Sequence, residues 1–307
     1  MPFIKNNILR YTLITAIIIL LAGGGWFFHF SLTPYQVSYE QVQAHYAYQA
    51  GNDLHWQQTK IEDNYDEFTY QSFDGQIVNG RIKYPVTHAN STQPMPVLIG
   101  IHALGRSQIR WFQDSFRTRP TITSVDKITQ QALKQGYAVI AIDARNHGLR
   151  KDPNYSIRDV MMDLHYFGDK APYEALITDT VKDHRVLLDW IAQQPQFDPL
   201  RINVAGYSMG GQASLLLAGI DPRINNVAAI VPPHLDDKTA LVAPKNVLIG
   251  LANNKVWLLT ADDDEYASKQ QNSMLFNLIP SENKKHFRFD SSHILPSNYV
   301  DDLTDWL

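Results

Sequence analysis

Five short apolar runs recur along the chain: VLIGIH (97–102), YAVIAID (137–143), RINVAGYS (201–208), VAAIVP (227–232) and VWLLTA (256–261). A run of that length with no polar alternation is what a strand covered on both faces requires. The segments between them carry apolar residues at helical spacing. In YEALITDTVKDHRVLLDWIAQQ (173–194) these include Leu176, Val181, Val186, Leu187 and Trp190. Further helices are expected near 124–135, after Ser208, over 266–279 and at the terminus from 297, and KHFRFD (285–290) reads as a last strand. Strands alternating with helices predict an α/β fold with a mostly parallel sheet of about eight strands, helices packing on both faces. Upstream, YDEFTYQSF and QIVNGRIKYP flank Asp74-Gly75, a hairpin signal that supplies an antiparallel edge. In open sheets of this kind ligands bind at the carboxyl ends of the strands.

The N-terminus follows a different rule. From Tyr11 to Phe30 no Asp, Glu, Lys or Arg occurs. As a helix these residues span roughly 30 Å, enough for a bilayer core. Lys5 and Arg10 precede the run, and Trp26, Phe27 and Phe28 close it as an aromatic belt would. The positive-inside rule leaves the N-terminus cytoplasmic and the rest of the chain extracytoplasmic. The expected organisation is a single transmembrane anchor over 1–31, a juxtamembrane spacer over 32–64 with a helical piece near 39–50, and a catalytic domain over 65–307. The alternative is a secreted protein, its leader cleaved near the small residues Ala22 and Gly24.

Composition removes several classes of function. The chain has 307 residues, 27 basic against 31 acidic side chains, and no cysteine. No basic stripe marks a nucleic-acid partner. Disulfides, thiolate metal sites and a cysteine nucleophile are excluded. No HExxH pair occurs, and the acidic run DDDE (262–265) lacks calcium-loop spacing, so no metal or other cofactor is expected.

The chemistry-bearing motif is NVAGYSMGGQAS (203–214), where Ser208 sits among Gly206, Gly210 and Gly211 between an apolar strand and an apolar helix. A Gly-x-Ser-x-Gly string in that setting implies a sharp, strained turn that exposes the hydroxyl at the sheet's top edge. It also aims the first N–H groups of the helix at whatever the hydroxyl attacks. The chain from about 65 to 307 therefore resembles the α/β-hydrolases. FDPLRINVAGYSMGG is similar to the dienelactone-hydrolase-like and acetyl-xylan-esterase-like branches, and DARNHG (143–148) resembles a turn of small carboxylesterases.

The resemblance implies a serine, acid, histidine order along the chain. His293, in FDSSHILP after the last strand, takes the position of the family's base, with His234 and His286 as the other downstream histidines. The family places the acid two variable positions after a small residue. Ala261 then nominates Asp264, with Asp262 second. For the oxyanion, Met209 follows the nucleophile, and HALGRS (102–107) resembles the family's His-Gly-x-x-x-Ser element and nominates the Leu104 N–H. Ala103 stands where the family has glycine, and is the alternative donor. Tyr207, His234 and Trp111 are expected to touch substrate. Met161, Met162, Leu164, Tyr166 and Phe167, with Phe112 and Phe116, are candidates for an apolar rim.

These residues imply a membrane-anchored serine hydrolase that cleaves small or medium carboxylic esters through an acyl-enzyme. The alternatives are a serine peptidase of the prolyl-oligopeptidase-like kind, in which Asp159, Asp163 or Asp169 would hold a substrate amine, and a non-catalytic tethered binding protein.

Overall fold

Successive residues of the apolar runs point to opposite sides of one sheet, and each side carries its own core. Val97, Ile99, Ile140, Val204, Val227 and Leu258 face one way. Leu98, Val139, Ala205, Ala228 and Trp257 face the other. This is the period-2 geometry of a strand, applied to residues that are apolar at every position. The computed structural model describes residues 2–49, 51, 53–86 and 93–307, with residues 2–9 as backbone only. Ala50, at the end of the helical piece expected near 39–50, and the Lys5 side chain lie outside the described residues.

The strands are β1 Gln57–Glu62, β2 Tyr65–Gln71, β3 Ile77–Lys83, β4 Met95–Ile101, β5 Ser115–Phe116, β6 Arg119–Pro120, β7 Ala138–Ile142, β8 Phe197–Tyr207, β9 Asn226–Ile230, β10 Lys255–Ala261 and β11 Lys284–Phe289. Nine of them form the main sheet in the order β1-β2-β3-β7-β4-β8-β9-β10-β11, and β5 with β6 makes a separate ribbon. From β7 to β11 neighbours run parallel, while β1, β2 and β3 are antiparallel. The hairpin is where Asp74-Gly75 points, Gln71 pairing Ile77 across the turn and Gly75 taking φ +78°.

The helices are α1 Pro2–Phe30, α2 Tyr39–His45, α3 Val125–Lys134, α4 Ile157–Tyr166, α5 Ala171–Ala192, α6 Met209–Ile220 and α7 Lys269–Leu278. Helices α5 and α6 supply Val181, Leu187, Leu215 and Leu216 to the first core. Helix α3 and the C-terminal segment supply Val125, Ile128, Leu303 and Trp306 to the second.

Three features differ from the sequence expectation. The terminal helix is a 3-10 segment, Ser297–Leu303, not an α-helix. Asp301, Asp302 and Asp305 put negative charge at the end of a helix where the backbone dipole is already negative. Burial of Tyr299, Val300 and Leu303 fixes the segment instead. Within 149–172, residues 157–166 form α4. Its start carries a capping box in which Ser156 and Asp159 satisfy each other's backbone N–H groups.

The third difference is the segment expected as a spacer, which is laid across the domain. The Tyr35 N–H donates to the Asp237 carbonyl at 2.8 Å, and the Tyr39 hydroxyl to the Gly219 carbonyl at 2.8 Å. Val42 and Tyr46 are buried. The Trp56 ring stacks on Trp190 with 3.6 Å between centroids, and residues 57–62 add a ninth strand. Its aromatic residues are anchors whose partners lie far along the chain, so the local sequence reads as polar linker.

A buried ionic cluster ties the hairpin turn to the sheet's active edge. Arg145, in the turn after β7, donates from Nε and Nη2 to Asp183 at 2.7 and 2.6 Å. Its Nη1 donates to Asp74 at 2.6 Å. Arg150 donates to Asp183 at 2.7 Å, and Ser72 also donates to it. Asp183 is fully buried. Breaking such a cluster leaves a charge without its counterpart. Arg145→Met is expected to destabilise the protein by about 3 kcal/mol, read as a lowered denaturation midpoint. An unchanged midpoint would show that Arg150 alone neutralises Asp183.

Candidate active site

Strand β8 ends at Tyr207 and α6 begins at Met209, so a single residue makes the reversal. Ser208 has φ 57° and ψ −119°, a conformation that costs of order 1–3 kcal/mol for a residue with a side chain. Close packing holds it there. A Cβ on Gly206 would lie 2.1 Å from the Gly210 carbonyl oxygen, and one on Gly210 would lie 2.1 Å from the Ile101 carbonyl oxygen. Only glycine lets β8, α6 and the end of β4 approach this closely. The Ser208 N–H donates to the Ile230 carbonyl at the end of β9 at 2.8 Å.

The strained turn presents Ser208 Oγ to an imidazole supplied by the loop after β11. His293 Nε2 lies 2.8 Å from Ser208 Oγ. On the other side of the ring, Nδ1 lies 2.9 and 3.0 Å from the two carboxylate oxygens of Asp264, which follows β10. Asp264 also accepts from the Tyr266 N–H at 2.9 Å, and the Tyr266 ring packs edge-on to His293 at 4.7 Å. Tyr207 fixes the imidazole from below. Its hydroxyl donates to the His293 carbonyl at 2.8 Å and accepts from the Leu295 N–H at 3.0 Å.

The other candidates are spent elsewhere. Asp262 pairs with Arg288 and Lys269 at 3.0 and 3.2 Å. His286 pairs with Thr260 Oγ1 at 2.8 Å and stacks on Phe276. Asp159 caps α4, Asp163 accepts from the Tyr155 hydroxyl, and Asp169 accepts from the Ala171 N–H at 3.0 Å. These three acids are engaged in local structure.

The loop after β4 brings Ala103 and Leu104 beside Met209 in the same cleft. The left-handed position in this loop falls at Gly105, φ +71°. Ala103 is therefore not asked for a conformation it disfavours, and alanine replaces glycine there without strain. Two buried histidines brace the loop. The Ala144 N–H donates to His102 Nε2 at 3.0 Å, and the Gly105 N–H donates to His147 Nε2 at 2.8 Å. An N–H can only donate, so both rings are neutral with the proton on Nδ1. From there His102 donates to the Ala103 carbonyl at 2.9 Å and His147 to the Arg145 carbonyl at 2.7 Å. DARNHG thus works as a brace, with His147 under the loop and Arg145 in the ionic cluster.

Ser208 and His293 open into a cleft of about 630 Å³ lined by Leu104, Met161, Leu164, Tyr173, His234 and Tyr266 among others. His234 is exposed in the cleft wall, its N–H held by the Tyr266 carbonyl at 3.0 Å. Tyr207 lines the floor. Trp111, expected to touch substrate, is fully buried instead. Its ring occupies the space left by Gly100, where a Cβ would lie 2.3 Å away, and so it belongs to the core. Phe112 packs against Tyr65, and Phe116 lies beside Arg110 and Arg117, so neither forms the rim. Glu265 and Ile294 also line the cleft. Their places next to Asp264 and His293 were the available signal for them.

A serine strained at a strand-to-helix turn, on the carboxyl edge of a mostly parallel sheet, defines a hydrolase-type α/β scaffold. The model of the alpha/beta hydrolase family matches residues 98–296, and the chain belongs to that family. No curated protein matches the chain. Among solved structures it is similar to acetyl xylan esterase 1 from Thermoanaerobacterium sp. (16% identity, 91% of this chain and 95% of that one, TM-score 0.69). It is also similar to a cold-adapted esterase from an Arctic intertidal metagenomic library (18%, 84% and 99%, 0.58). A third is the acetyl xylan esterase from Paenibacillus sp. R4 (16%, 89% and 96%, 0.61). At these identities the likeness is one of fold.

Burial pushes the His102 imidazole down to about 4 and that of His147 to about 3, the neighbouring His102 ring adding to the latter. Both values lie below the unfolded histidine value, so the unfolded chain binds more protons between about pH 6.5 and pH 4. This contribution to stability is complete above about pH 6.5 and is lost on acidification. The melting temperature is expected to fall as the pH is lowered from about 6.5 to 4. A melting temperature constant over that window would contradict the neutral tautomers.

Proposed function

We propose that the protein is a serine esterase in which Ser208 is the nucleophile, His293 the base and Asp264 the group that orients and stabilises the imidazolium. The observation that carries this reading is the continuous hydrogen-bonded row from Asp264 through His293 to Ser208, at 2.9 and 2.8 Å, opening on the cleft. His293 Nε2 takes the Ser208 proton as Oγ attacks the ester carbonyl. The oxyanion lies against the N–H groups of Met209 and Leu104, with Ala103 as the alternative donor. His293 then returns the proton to the leaving alcohol, and water releases the acid by the same route. The chemistry needs no cofactor.

The substrate is a carboxylic ester. The engagement of Asp159, Asp163 and Asp169 in caps and hydrogen bonds leaves them unsuited to hold a peptide amine. His234 and Tyr207 are proposed to touch the substrate from the cleft wall and floor.

We further propose that residues 1–31 are a retained anchor and that the catalytic part lies on the extracytoplasmic side. Arg10–Phe30 is long and apolar enough to cross a bilayer, and no part of it is buried in the protein. Support for retention comes from the apolar helix running unbroken past Ala22 and Gly24 to Phe30, where it docks on the domain. Trp26 Nε1 donates to the Tyr166 carbonyl at 3.0 Å, and Phe30 packs on Phe167. Gly168 lies so close that a Cβ would meet the Phe30 carbonyl oxygen at 2.2 Å. Trp26 and Phe30 follow the candidate cleavage residues Ala22 and Gly24, so these contacts fix where the segment leaves the domain in either form.

A fluorophosphonate probe is expected to label the full chain and not Ser208→Ala. That variant should lose at least about 10⁴-fold in ester turnover, and Asp264→Asn a similar factor. A Ser208→Ala variant that keeps wild-type turnover overturns the assignment. Labelling with faster cleavage of aminoacyl anilides than of nitrophenyl esters points to the peptidase. Absence of labelling in folded wild type points to a binding protein. In membrane fractions the chain is expected to resist alkaline extraction and to begin at residue 1 or 2. A mature protein starting after residue 24 would show that the segment is a cleaved leader.

A further inference from the structure

Helix α4 is a thin wall between two cavities. One side faces the cleft over Ser208. On the other, a second cavity of about 590 Å³ lies between the last turns of α1 and the 234–239 loop. Leu164, His165, His234 and Leu235 line both, so the space over Ser208 and the space beside α1 are neighbours separated by these side chains.

The second cavity has a defined orientation. On the α1 side its wall is Gly23, Trp26, Phe27 and Phe30. Gly23 and Phe30 are seven residues apart, roughly 10 Å along a helix. With Trp26 and Phe27 at the interface, as aromatic residues are placed at the edge of a bilayer, Gly23 lies on the hydrocarbon side of them. With α1 as an anchor, the cavity runs from the level of the leaflet to the side chains that border the cleft over Ser208. Exposed apolar rings line it: Phe27 is 76% exposed and Tyr166 64% exposed. In water such a patch would be unfavourable, whereas at a lipid surface it is matched. The opposite wall is polar, with Asp236 and Lys238, as suits the headgroup level.

We infer that the enzyme draws its substrate sideways from the bilayer: a long-chain acyl ester dissolved in the outer leaflet lays its chain along the α1 groove, past Leu164 and Leu235, while its carbonyl reaches Ser208. This rests on Ser208 as nucleophile and on α1 as a retained anchor. The reaction is hydrolysis, water replacing the alcohol on the acyl carbon, with the fatty acid and the alcohol as products. Each methylene removed from water favours binding roughly fourfold. For a chain already in the membrane that gain is made before the enzyme is met, so the groove acts by guiding the chain and aligning the carbonyl.

The test uses the full chain in phosphatidylcholine nanodiscs. 4-Methylumbelliferyl oleate is supplied either in the same discs or in separate protein-free discs, with the acetate ester in solution as reference. The initial rate on oleate is expected to be at least about tenfold higher when enzyme and substrate share a disc, since a membrane-fed route bypasses transfer through water. Gly23→Trp fills the groove from the α1 side, where a Cβ meets nothing within 4 Å. It is expected to lower the ratio of oleate to acetate turnover by about tenfold, a loss of alignment for the chain alone. Leu21→Trp, on a side chain 70% exposed, should leave that ratio at the wild-type value.

Equal rates for shared and separate discs overturn the inference, as does the same ratio for Gly23→Trp and Leu21→Trp. In either case retained acetate turnover and fluorophosphonate labelling would leave the esterase reading standing. Loss of both in wild type overturns the esterase reading and this inference together. A chain recovered without its first 24 residues overturns the anchor, and the membrane route with it.

Discussion

Ser208 occupies a backbone conformation that a side chain does not adopt unless its surroundings force it, and three neighbouring chain segments do the forcing. Gly206 and Gly210 let α6 sit against β8 and against the end of β4, with backbone atoms where any Cβ would clash. The Ser208 N–H bonded to Ile230 ties the same residue to β9. The strain, of order 1–3 kcal/mol, is offset by the burial of every residue of α6. What results is a hydroxyl raised above the sheet at the N-terminus of a helix. Asp264 and His293 meet it because β10 and β11 lie on the same side of β8 and end at the same edge.

The loop opposite depends on uncharged histidines. His102 and His147 each accept from a backbone N–H and donate to a carbonyl, so each works only as a neutral ring in one tautomer. Burial secures that state. Beneath them Arg145 and Arg150 converge on Asp183 and join the turn after β7 to α5. The segment DARNHG is thus a junction: Arg145 reaches down into the ionic cluster, His147 reaches up to the loop, and Asp143 accepts from the Gln108 and Leu149 N–H groups.

Residues 35–49 and 53–62 bind the surface of the domain through aromatic side chains, Tyr39, Tyr46 and Trp56 among them. Such anchors combine a large buried ring with a polar tip that finds a carbonyl. They bring the end of α1 against α4, so that the entrance to the cleft and the edge of the apolar helix are neighbours. Access to Ser208 and the placement of the apolar helix then become one geometric question.

The parallel sheet was legible in the sequence, since short apolar runs of strand length recur between segments of helical spacing, the pattern of strands covered on both faces. The sequence by itself determined the turn at Ser208, because three glycines around one serine after a strand satisfy a steric demand that is local. The apolar stretch before residue 31 is equally a property of composition. His293 and Asp264 were nominated by their places after strands, together with a family resemblance, and their meeting at Ser208 is a fact of the folded sheet. Other points were settled by tertiary structure alone. Trp111 is core because Gly100, eleven residues away, leaves a hole that fits its ring. Residues 57–62 are a strand because β2 offers an open edge, and the 297–303 segment is 3-10 because burial of Tyr299 and Leu303 outweighs helix propensity. The nearness of the cleft to the groove along α1 likewise depends on Leu164, His165, His234 and Leu235 lining both. No pattern within either stretch records that proximity, because contacts between distant segments are set by packing, and local spacing carries no trace of them.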